Sequence, residues 1–460
     1  AVKVCSAVSS SCSGIALIQG MEFAVDPNGD GDTSDRVDII NMSLGAGYGQ
    51  AFDDDLSAAV DNASKLGVLT VAAAGNCGDL PFCTGTPGAA PTALSVAQTQ
   101  VPSAIRWLME IVEPAASAGL YDAAKYSWTP DPGPRVEGLV QYADGAGGNL
   151  DGCVPFDADS LDGKIVAVDR GGCFFSDKIR NIENAGGILG IVMLVAPGDP
   201  FAGAFGGGDP INIPGFNISQ AAGDVIRAGG AVAAFGTDLT ESLVGQTVVS
   251  TARGPENAFN KLKPEIGAPG ASVSLAVATG NGEEPFGGTS GASPMVAGAA
   301  ALVQSECRDG EPGKFGYKDR NKDKSCTPRQ IKARLMNTAY RDIISDTTGA
   351  LAEVTRIGGG EVRADAAVKT PFLAFSRNDD DFNPSISLGV IDAARDMTIE
   401  REIKVKNLSK YRQHIKISQE SRNAAGAAVD AIDVDPDSYV SVKGKGNNKF
   451  DVKFRVNASE

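Results

Sequence analysis

Residues 286–299 read FGGTSGASPMVAGA, in which two glycines, a threonine and a serine precede an apolar segment with helical spacing. A serine nucleophile is usually presented in this way, because free backbone N–H groups at a helix start favour a developing negative charge. A serine hydroxyl also needs an adjacent base to take its proton, and histidine is the usual base. The only histidine is His414, far away in sequence. Ser290 is therefore a candidate nucleophile without an evident base, although such a serine taken alone is more often an ordinary helix cap.

The first hundred residues alternate strand-like and helix-like segments. Residues 1–4, 37–43 and 68–74 are apolar runs that predict strands, and residues 14–25 and 56–66 have helical spacing. This β-α-β-α-β order predicts a parallel sheet flanked by helices. Because the chain opens on a strand with no preceding turn, we expect an upstream piece of the fold to be missing.

Three motifs occur in order: NMSLG at 41–45, AAAGN at 72–76, and GTS at 288–290 with a proline four residues after the serine. With GAPG at 267–270, they make residues 1–98 and 254–366 resemble the subtilisin-like serine proteases, or subtilases (peptidase family S8). The resemblance implies that Ser290 is the nucleophile and that the side-chain amide of Asn76 is one donor of the oxyanion hole. In that family the catalytic Asp and His lie upstream of the position of Ala1, so we expect both to be absent from this chain.

The same resemblance assigns two short segments to substrate binding. They would pair with the substrate backbone and line the pocket for the residue before the cleaved bond; they are Ser43, Leu44 and Gly45, and Ala73, Ala74 and Gly75. Taken alone, Asn76 would be a turn residue, and only the conjunction of the motifs favours catalysis. His414 lies in a basic, strand-like segment beyond the protease core, and we interpret it as a surface residue.

An insertion at 99–253 separates the two parts of the protease region. Residues 161–219 combine a buried strand, a glycine bend, a helix, a second strand and a Pro-Gly segment. This pattern resembles a protease-associated (PA) domain, with its core at about 135–240, which in subtilases lies above the cleft and bears on substrate choice or protein contacts. The alternative is a folded spacer without a binding function.

Four parts of the chain follow from these patterns. The resemblance to subtilases implies that residues 1–98 and 254–368 form an α/β, subtilisin-like parallel sheet flanked by helices and incomplete at its N-terminus. The second resemblance implies that residues 99–253 carry the β-rich α+β PA domain. Short alternating strands at 397–405, 413–418, 439–442 and 449–456 predict an antiparallel β-sandwich at 369–460. That last part resembles a fibronectin type III-like domain and is interpreted as a stabilising appendage.

An acidic segment, DPNGDGDTSD at 26–35, resembles a calcium loop, with oxygen side chains at its first, third and fifth positions and glycine at its sixth. The candidate Ca²⁺ ligands are Asp26, Asn28, Asp30, Asp32 and Asp35. Position twelve is Val37 rather than a bidentate glutamate, so Asp35 or Asp38 would have to close the site. The alternative is a solvated acidic turn. Residues 319–323 repeat the spacing without the glycine and are a weaker candidate.

The cysteines of this chain indicate the redox compartment in which it folds. The eight cysteines fall into neighbouring couples that predict four disulfides, namely Cys5–Cys12, Cys77–Cys83, Cys153–Cys173 and Cys307–Cys326. Disulfides point to an oxidising compartment, whereas reduced thiols would fit a cytosolic enzyme.

The net charge of −16 argues against nucleic acid and anionic membranes as partners. The sequence contains no apolar run long enough to span a membrane.

Two functions remain open from the sequence. The first is a secreted serine endopeptidase that acts on protein or peptide substrates, with its Asp and His supplied by the missing N-terminal fragment of the same protease. This chain alone would then be nearly inactive. The second is a non-catalytic, subtilase-like binding or scaffold protein that has lost its base.

Overall fold

The computed structural model describes all of the chain except residues 7–10, 144–147, 276–279, 310–325, 378–382, 390, 393, 424–426, 428–431, 437–438, 457 and 459–460. The acidic segment at 319–323 lies outside the described residues. Internal contacts divide the chain into two units, Ser103–Val244 and the remainder, Ala1–Pro102 with Gly245–Glu460. The smaller unit lies within the insertion predicted at 99–253.

The larger unit begins with alternating helices and strands. They are α1 (Gly14–Val25), β1 (Ile39–Met42), α2 (Asp55–Lys65), β2 (Leu69–Ala73) and β3 (Leu94–Thr99), with a 3₁₀ turn at Thr33–Asp35. The side chain of Asp54 caps α2 by accepting the N–H of Leu56 at 3.1 Å, which satisfies one of the unpaired donors of the first turn.

The strand predicted at residues 1–4 is wrong. Residues 1–4 form no strand and precede Cys5, which is bonded to Cys12. The side chains of Val2 and Val4 lie against Gly20 of α1. A four-residue apolar run has no periodicity that separates a strand from an extended segment packed on a helix. Because residues 1–4 form no strand, an opening strand no longer supports the expectation that an upstream piece of the fold is missing.

The smaller unit is built around a mixed sheet. Its elements are β4 (Ile105–Glu113), β5 (Gly119–Lys125), β6 (Val136–Tyr142), β7 (Ile165–Asp169), α3 (Phe175–Asn184), β8 (Leu189–Met193), β9 (Gly215–Ile218), α4 (Gln220–Arg227), β10 (Val232–Phe235) and β11 (Thr240–Ser242). The strand order is β10-β6-β7-β8-β9-β5-β4-β11, and a further pairing of β10 with β4 closes the sheet. β6 to β9 run parallel, and the other pairs are antiparallel.

The chain then returns to the larger unit. It adds β12 (Ile266–Pro269), β13 (Ser272–Leu275), β14 (Glu283–Phe286), α5 (Thr289–Asp309), α6 (Pro328–Asn337), α7 (Val354–Ile357) and α8 (Ala364–Lys369). β12 completes a four-stranded parallel sheet of order β1-β2-β3-β12, and β13 and β14 form a hairpin.

The parallel sheet is covered on both faces, which explains why β2 is a continuous buried run. Leu69 and Val71 of β2 pack with α5, whereas Val68 and Ala72 pack with α1 and α2. Successive side chains of a strand point to opposite faces. The sheet therefore fixes the start of α5 beside the C-terminal ends of β1 and β2.

Three charged side chains are buried at the end of this sheet. The carboxylate of Glu265 lies 3.2 Å from Lys263 Nζ and 2.6 Å from Lys332 Nζ. Both ammonium groups also donate to the main-chain oxygen of Ala93. Burial lowers the pKa of Lys263 to about 8, although the charge of Glu265 opposes this shift.

The C-terminal part of the larger unit is antiparallel. Its strands are β15 (Phe372–Arg377), β16 (Met397–Asn407), β17 (Gln413–Lys416), β18 (Ile432–Pro436), β19 (Tyr439–Val442) and β20 (Asn447–Val456). They form a sheet of order β15-β16-β20-β18 and a second sheet of β17 with β19. Val405, Val440 and Val442 form the buried centre of this part, so the predicted alternation does produce two antiparallel sheets around an apolar core.

All four predicted disulfides are present, which confirms the pairing inferred from the cysteine spacing. In the part of the chain that the structure describes, no helix has the length and apolar character that crossing a membrane requires.

Candidate active site

Ser290 lies in the first turn of α5 and is half-buried. Its hydroxyl donates a hydrogen bond to the main-chain oxygen of Ser43 at 3.1 Å. In return, the hydroxyl of Ser43 donates to the main-chain oxygen of Ser290 at 2.8 Å. The segment after β1 and the start of α5 are 247 residues apart in sequence, and the structure joins them by this reciprocal pair.

Asn76 reaches the same place from the end of β2. Gly75, with φ +114°, turns the chain out of the strand, in a backbone region that a residue with a side chain rarely adopts. The Oδ1 atom of Asn76 accepts hydrogen bonds from the N–H of Thr289 at 2.9 Å and from the Thr289 hydroxyl at 3.0 Å. These two donors fix which end of the carboxamide faces Thr289, and they leave the Nδ2 donor on the opposite side.

Gly288 makes room for this carboxamide. Its φ is +82°, and a side chain there would begin 3.0 Å from Asn76 Nδ2. The glycine before Thr289 is thus required both by its backbone conformation and by the close approach of Asn76. The sequence motif alone gave Thr289 no role, although its place between Gly288 and Ser290 was a signal that it belongs to the site.

The two predicted substrate segments both lie beside residues 85–86. The main chain of Ala46, next to Gly45, pairs with Thr86, and the N–H of Gly85 donates to the oxygen of Ala74 at 2.9 Å. The oxygen of Gly75 accepts the N–H of Ala252 at 3.0 Å. The main-chain oxygens of Ala74 and Gly75 thus have partners within the unit, and the substrate-binding role of the two segments stays a prediction.

The loop after Asn76 is held by charge as well as by the Cys77–Cys83 disulfide. Asp79 lies 2.9 Å from Arg253 and 3.1 Å from Arg356. Burial raises the pKa of Asp79, but hydrogen bonds from the two guanidinium groups outweigh it and lower the pKa below the ordinary value. This carboxylate therefore stays ionised in the folded protein.

One face of α5 is apolar and exposed. Met295 and Leu302 are 51% and 48% exposed, and between them a side chain added at Gly298 would meet no atom within 4 Å. These positions are three, four and seven residues apart, which is one side of a helix. The opposite side of α5 packs on the sheet, so the helix is apolar on two sides and has a neighbour on one of them among the described residues.

The acidic loop at 26–35 is arranged around its own backbone. The carboxylate of Asp26 accepts the N–H groups of Gly29, Asp30 and Gly31, and Asp30 and Asp32 accept N–H groups two residues ahead. Within the described ranges, no three His, Cys, Asp or Glu side chains are grouped as metal ligands. In this conformation the carboxylates of Asp26, Asp30 and Asp32 are bonded to N–H groups of the loop itself, and calcium binding stays a prediction.

His414 lies on β17, where it pairs with Ser441 of β19. It is thus part of the C-terminal antiparallel region, and the hydroxyl of Ser290 bonds instead to a main-chain oxygen.

Comparison with protein families identifies the chain. A model of the subtilase family (Peptidase_S8) matches residues 1–369. The chain belongs to the subtilase family.

Curated relatives of this subtilase include named proteases. It is 29% identical over 369 residues to the minor extracellular protease Vpr of Bacillus subtilis (strain 168), a match that covers 78% of this chain and 41% of Vpr. It is 26% identical over 381 residues to the PII-type proteinase of Lactococcus lactis subsp. cremoris, covering 74% and 19%, and 25% identical over 407 residues to subtilisin-like protease SBT4.15 of Arabidopsis thaliana, covering 83% and 48%. The subtilase chain spans less than half the length of these relatives.

Among solved structures, the subtilase chain matches the psychrophilic subtilisin-like protease Apa1 of the Antarctic psychrotroph Pseudoalteromonas sp. AS-11. That match has 18% identity and a TM-score of 0.34, and it covers 80% of this chain and 76% of Apa1.

Proposed function

We propose that this chain carries the nucleophile and the oxyanion hole of a secreted serine endopeptidase that hydrolyses peptide bonds through an acyl-enzyme. The observation that supports it is the convergence of Ser290 and Asn76, two motifs 214 positions apart, at the start of one helix, with Thr289 orienting the Asn76 amide. In this mechanism Ser290 Oγ attacks the carbonyl carbon while a base takes its proton. The amide nitrogen leaves with that proton, and water then hydrolyses the ester.

We propose that the base and its orienting carboxylate, a His and an Asp, come from polypeptide outside this sequence. His414, the only histidine, sits in the C-terminal sheets, and the exposed apolar face of α5 begins one turn beyond Ser290. A helix that is apolar on two sides is normally buried on both. Without a base, the 460-residue chain alone should retain only the residual acceleration from the oxyanion hole and substrate binding.

A fluorophosphonate probe tests this function, because it reacts with an activated serine. The complete natural protein should be labelled, and peptide mapping should place the adduct on Ser290. The 460-residue chain should react far more slowly. A complete protein that stays unlabelled would favour the non-catalytic scaffold instead.

Replacing Asn76 with aspartate should separate its two roles. The Asn76→Asp side chain still accepts the hydrogen bonds of Thr289, but it loses the Nδ2 donor and brings a negative charge to the oxyanion. We expect kcat to fall by about 10²–10³-fold with little change in KM, a magnitude established for an oxyanion-hole asparagine of a subtilisin rather than derived from this chain. Steady-state kinetics on a peptide substrate measures it, with Asn62→Asp on α2 as the control. A fall confined to KM would contradict the assignment.

The two accessory parts have proposed roles that follow from the resemblance. The smaller unit is proposed to be a PA domain that bears on the choice of protein or peptide substrates, and the C-terminal sheets a fibronectin type III-like domain that stabilises the protease. Four disulfides support a secreted location, and so does the similarity to Vpr, which is named an extracellular protease.

We also propose that the loop at 26–35 binds a structural Ca²⁺. Its oxygen spacing supports this, as does Gly31 with φ +81°, although the carboxylates of Asp30 and Asp32 would have to turn away from the loop N–H groups. Calcium added to chelator-treated protein should raise the melting temperature. At one hundred times Kd the stabilisation is about 2.7 kcal/mol. The Asp30→Asn variant should lose the effect, and a wild-type melting temperature that calcium leaves unchanged would contradict the site.

A further inference from the structure

A proline in the first turns of α5 deprives the carbonyl of Ser290 of its regular helical donor. In a regular helix the oxygen of Ser290 would accept the N–H of residue 294, but residue 294 is Pro294, which has no N–H. The hydroxyl of Ser43 supplies the missing donor at 2.8 Å. A side chain from the segment after β1 thus completes the helix at its catalytic turn.

The direction of the Ser43 hydroxyl is set by Asn41. A hydroxyl has one hydrogen and can both donate and accept. The Nδ2 of Asn41 donates to Ser43 Oγ at 3.1 Å, which occupies an acceptor site and leaves the hydrogen for the Ser290 oxygen. Asn41 is itself oriented by Ser293, whose fully buried hydroxyl donates to Asn41 Oδ1 at 2.7 Å. The bonds therefore run in one direction, from Ser293 through Asn41 and Ser43 to Ser290.

We propose that Asn41 is a positioning residue for the reaction, which acts through the Ser43 hydroxyl to hold the main chain of Ser290; this inference rests on the proposed peptidase function. The main chain of Ser290 carries both the attacking Oγ and the N–H of the oxyanion hole. A displacement of about 1 Å at such a site can cost about 10²-fold in rate. Asn41 has no role in substrate contact under this proposal, so its loss affects kcat and leaves KM near the wild-type value.

The test uses three single variants and one double variant of the complete natural protein. Asn41→Asp keeps the acceptor for Ser293 but takes the Ser43 hydrogen for itself, which leaves the Ser290 oxygen without a donor. We expect kcat and the rate of fluorophosphonate labelling to fall together by about tenfold, the size of one lost hydrogen bond, with KM within about twofold. Asn41→Ala and Ser43→Ala should each show a fall, and the double variant should be no worse than Ser43→Ala, because residues that act in series are not additive.

A matched control and a readout independent of activity complete the design. Asn62→Asp on α2 makes the same chemical change at an exposed position and should alter neither constant. In the isolated chain, the carbonyl ¹³C resonance of Ser290 should shift in Asn41→Asp and not in Asn62→Asp.

The outcomes separate this inference from the function on which it rests. Provided that the wild type reacts with the probe, three results would overturn the inference and leave the peptidase function intact. They are an Asn41→Asp variant with unchanged kinetics, additive losses in the double variant, and a loss of thermal stability without a loss of activity. A wild type that resists the phosphonate would overturn the peptidase function and any part of Asn41 in it, whatever the ¹³C shift.

Discussion

Replacing Ser290 with alanine is expected to remove peptide hydrolysis almost completely, by about 10⁶-fold in kcat, the size known for the serine of a subtilisin rather than one derived from this chain. The expected loss is large because no acyl-enzyme can form without the Oγ atom. The remaining acceleration would come from the oxyanion hole and from substrate binding. The variant is measured in the complete natural protein, on a peptide substrate and with the fluorophosphonate probe.

Ser305→Ala is the control for Ser290→Ala, because Ser305 is an exposed serine further along α5. It should keep wild-type kinetics. If Ser290→Ala retained even a few per cent of the activity, another side chain would have to be the nucleophile.

Replacing Glu265 with glutamine is expected to destabilise the larger unit by about 3–5 kcal/mol, the cost of removing one partner from a buried ion pair. Glu265 is fully buried between Lys263 and Lys332. The variant leaves two ammonium groups in the interior without a counter-charge. The shift of the urea-denaturation midpoint measures this effect.

Lys263→Met is the matched variant, because it removes one ammonium and leaves the Glu265–Lys332 pair neutral. It should cost much less than Glu265→Gln. Since the pKa of Lys263 is lowered from 10.5 to about 8, the unfolded chain binds more protons than the folded chain between these values. Relative to Lys263→Met, the wild type should therefore become more stable as the pH rises through that range. Equal costs for the two variants would contradict the account of this cluster.

The sequence predicted the structure correctly where a local pattern determines it. The buried run at 68–74 became β2, and the couples of cysteines became disulfides. The motifs around Asn76 and Ser290 do meet, because parallel strands end at one edge of a sheet and α5 starts there. At residues 1–4 the apolar pattern predicted a strand that the structure lacks, because the same pattern also fits an extended segment packed on α1.

What the sequence could not supply are contacts between distant residues. The bond from Thr289 to Asn76 spans 213 residues, and that from Ser293 to Asn41 spans 252. No periodicity or motif predicts which hydroxyl will replace the donor that Pro294 lacks. The closure of the sheet in the smaller unit, by pairing of β10 with β4, likewise depends on register between strands far apart in the chain.

The central claim is that Ser290 and Asn76 act as nucleophile and oxyanion donor of one catalytic centre. A crystal structure of the complete protein with a peptidyl phosphonate tests it most directly. We expect phosphorus bonded to Ser290 Oγ and a phosphonyl oxygen about 2.7–3.1 Å from Asn76 Nδ2 and from the Ser290 N–H. A phosphonate attached to another side chain, or a phosphonyl oxygen turned away from Asn76, would contradict the account.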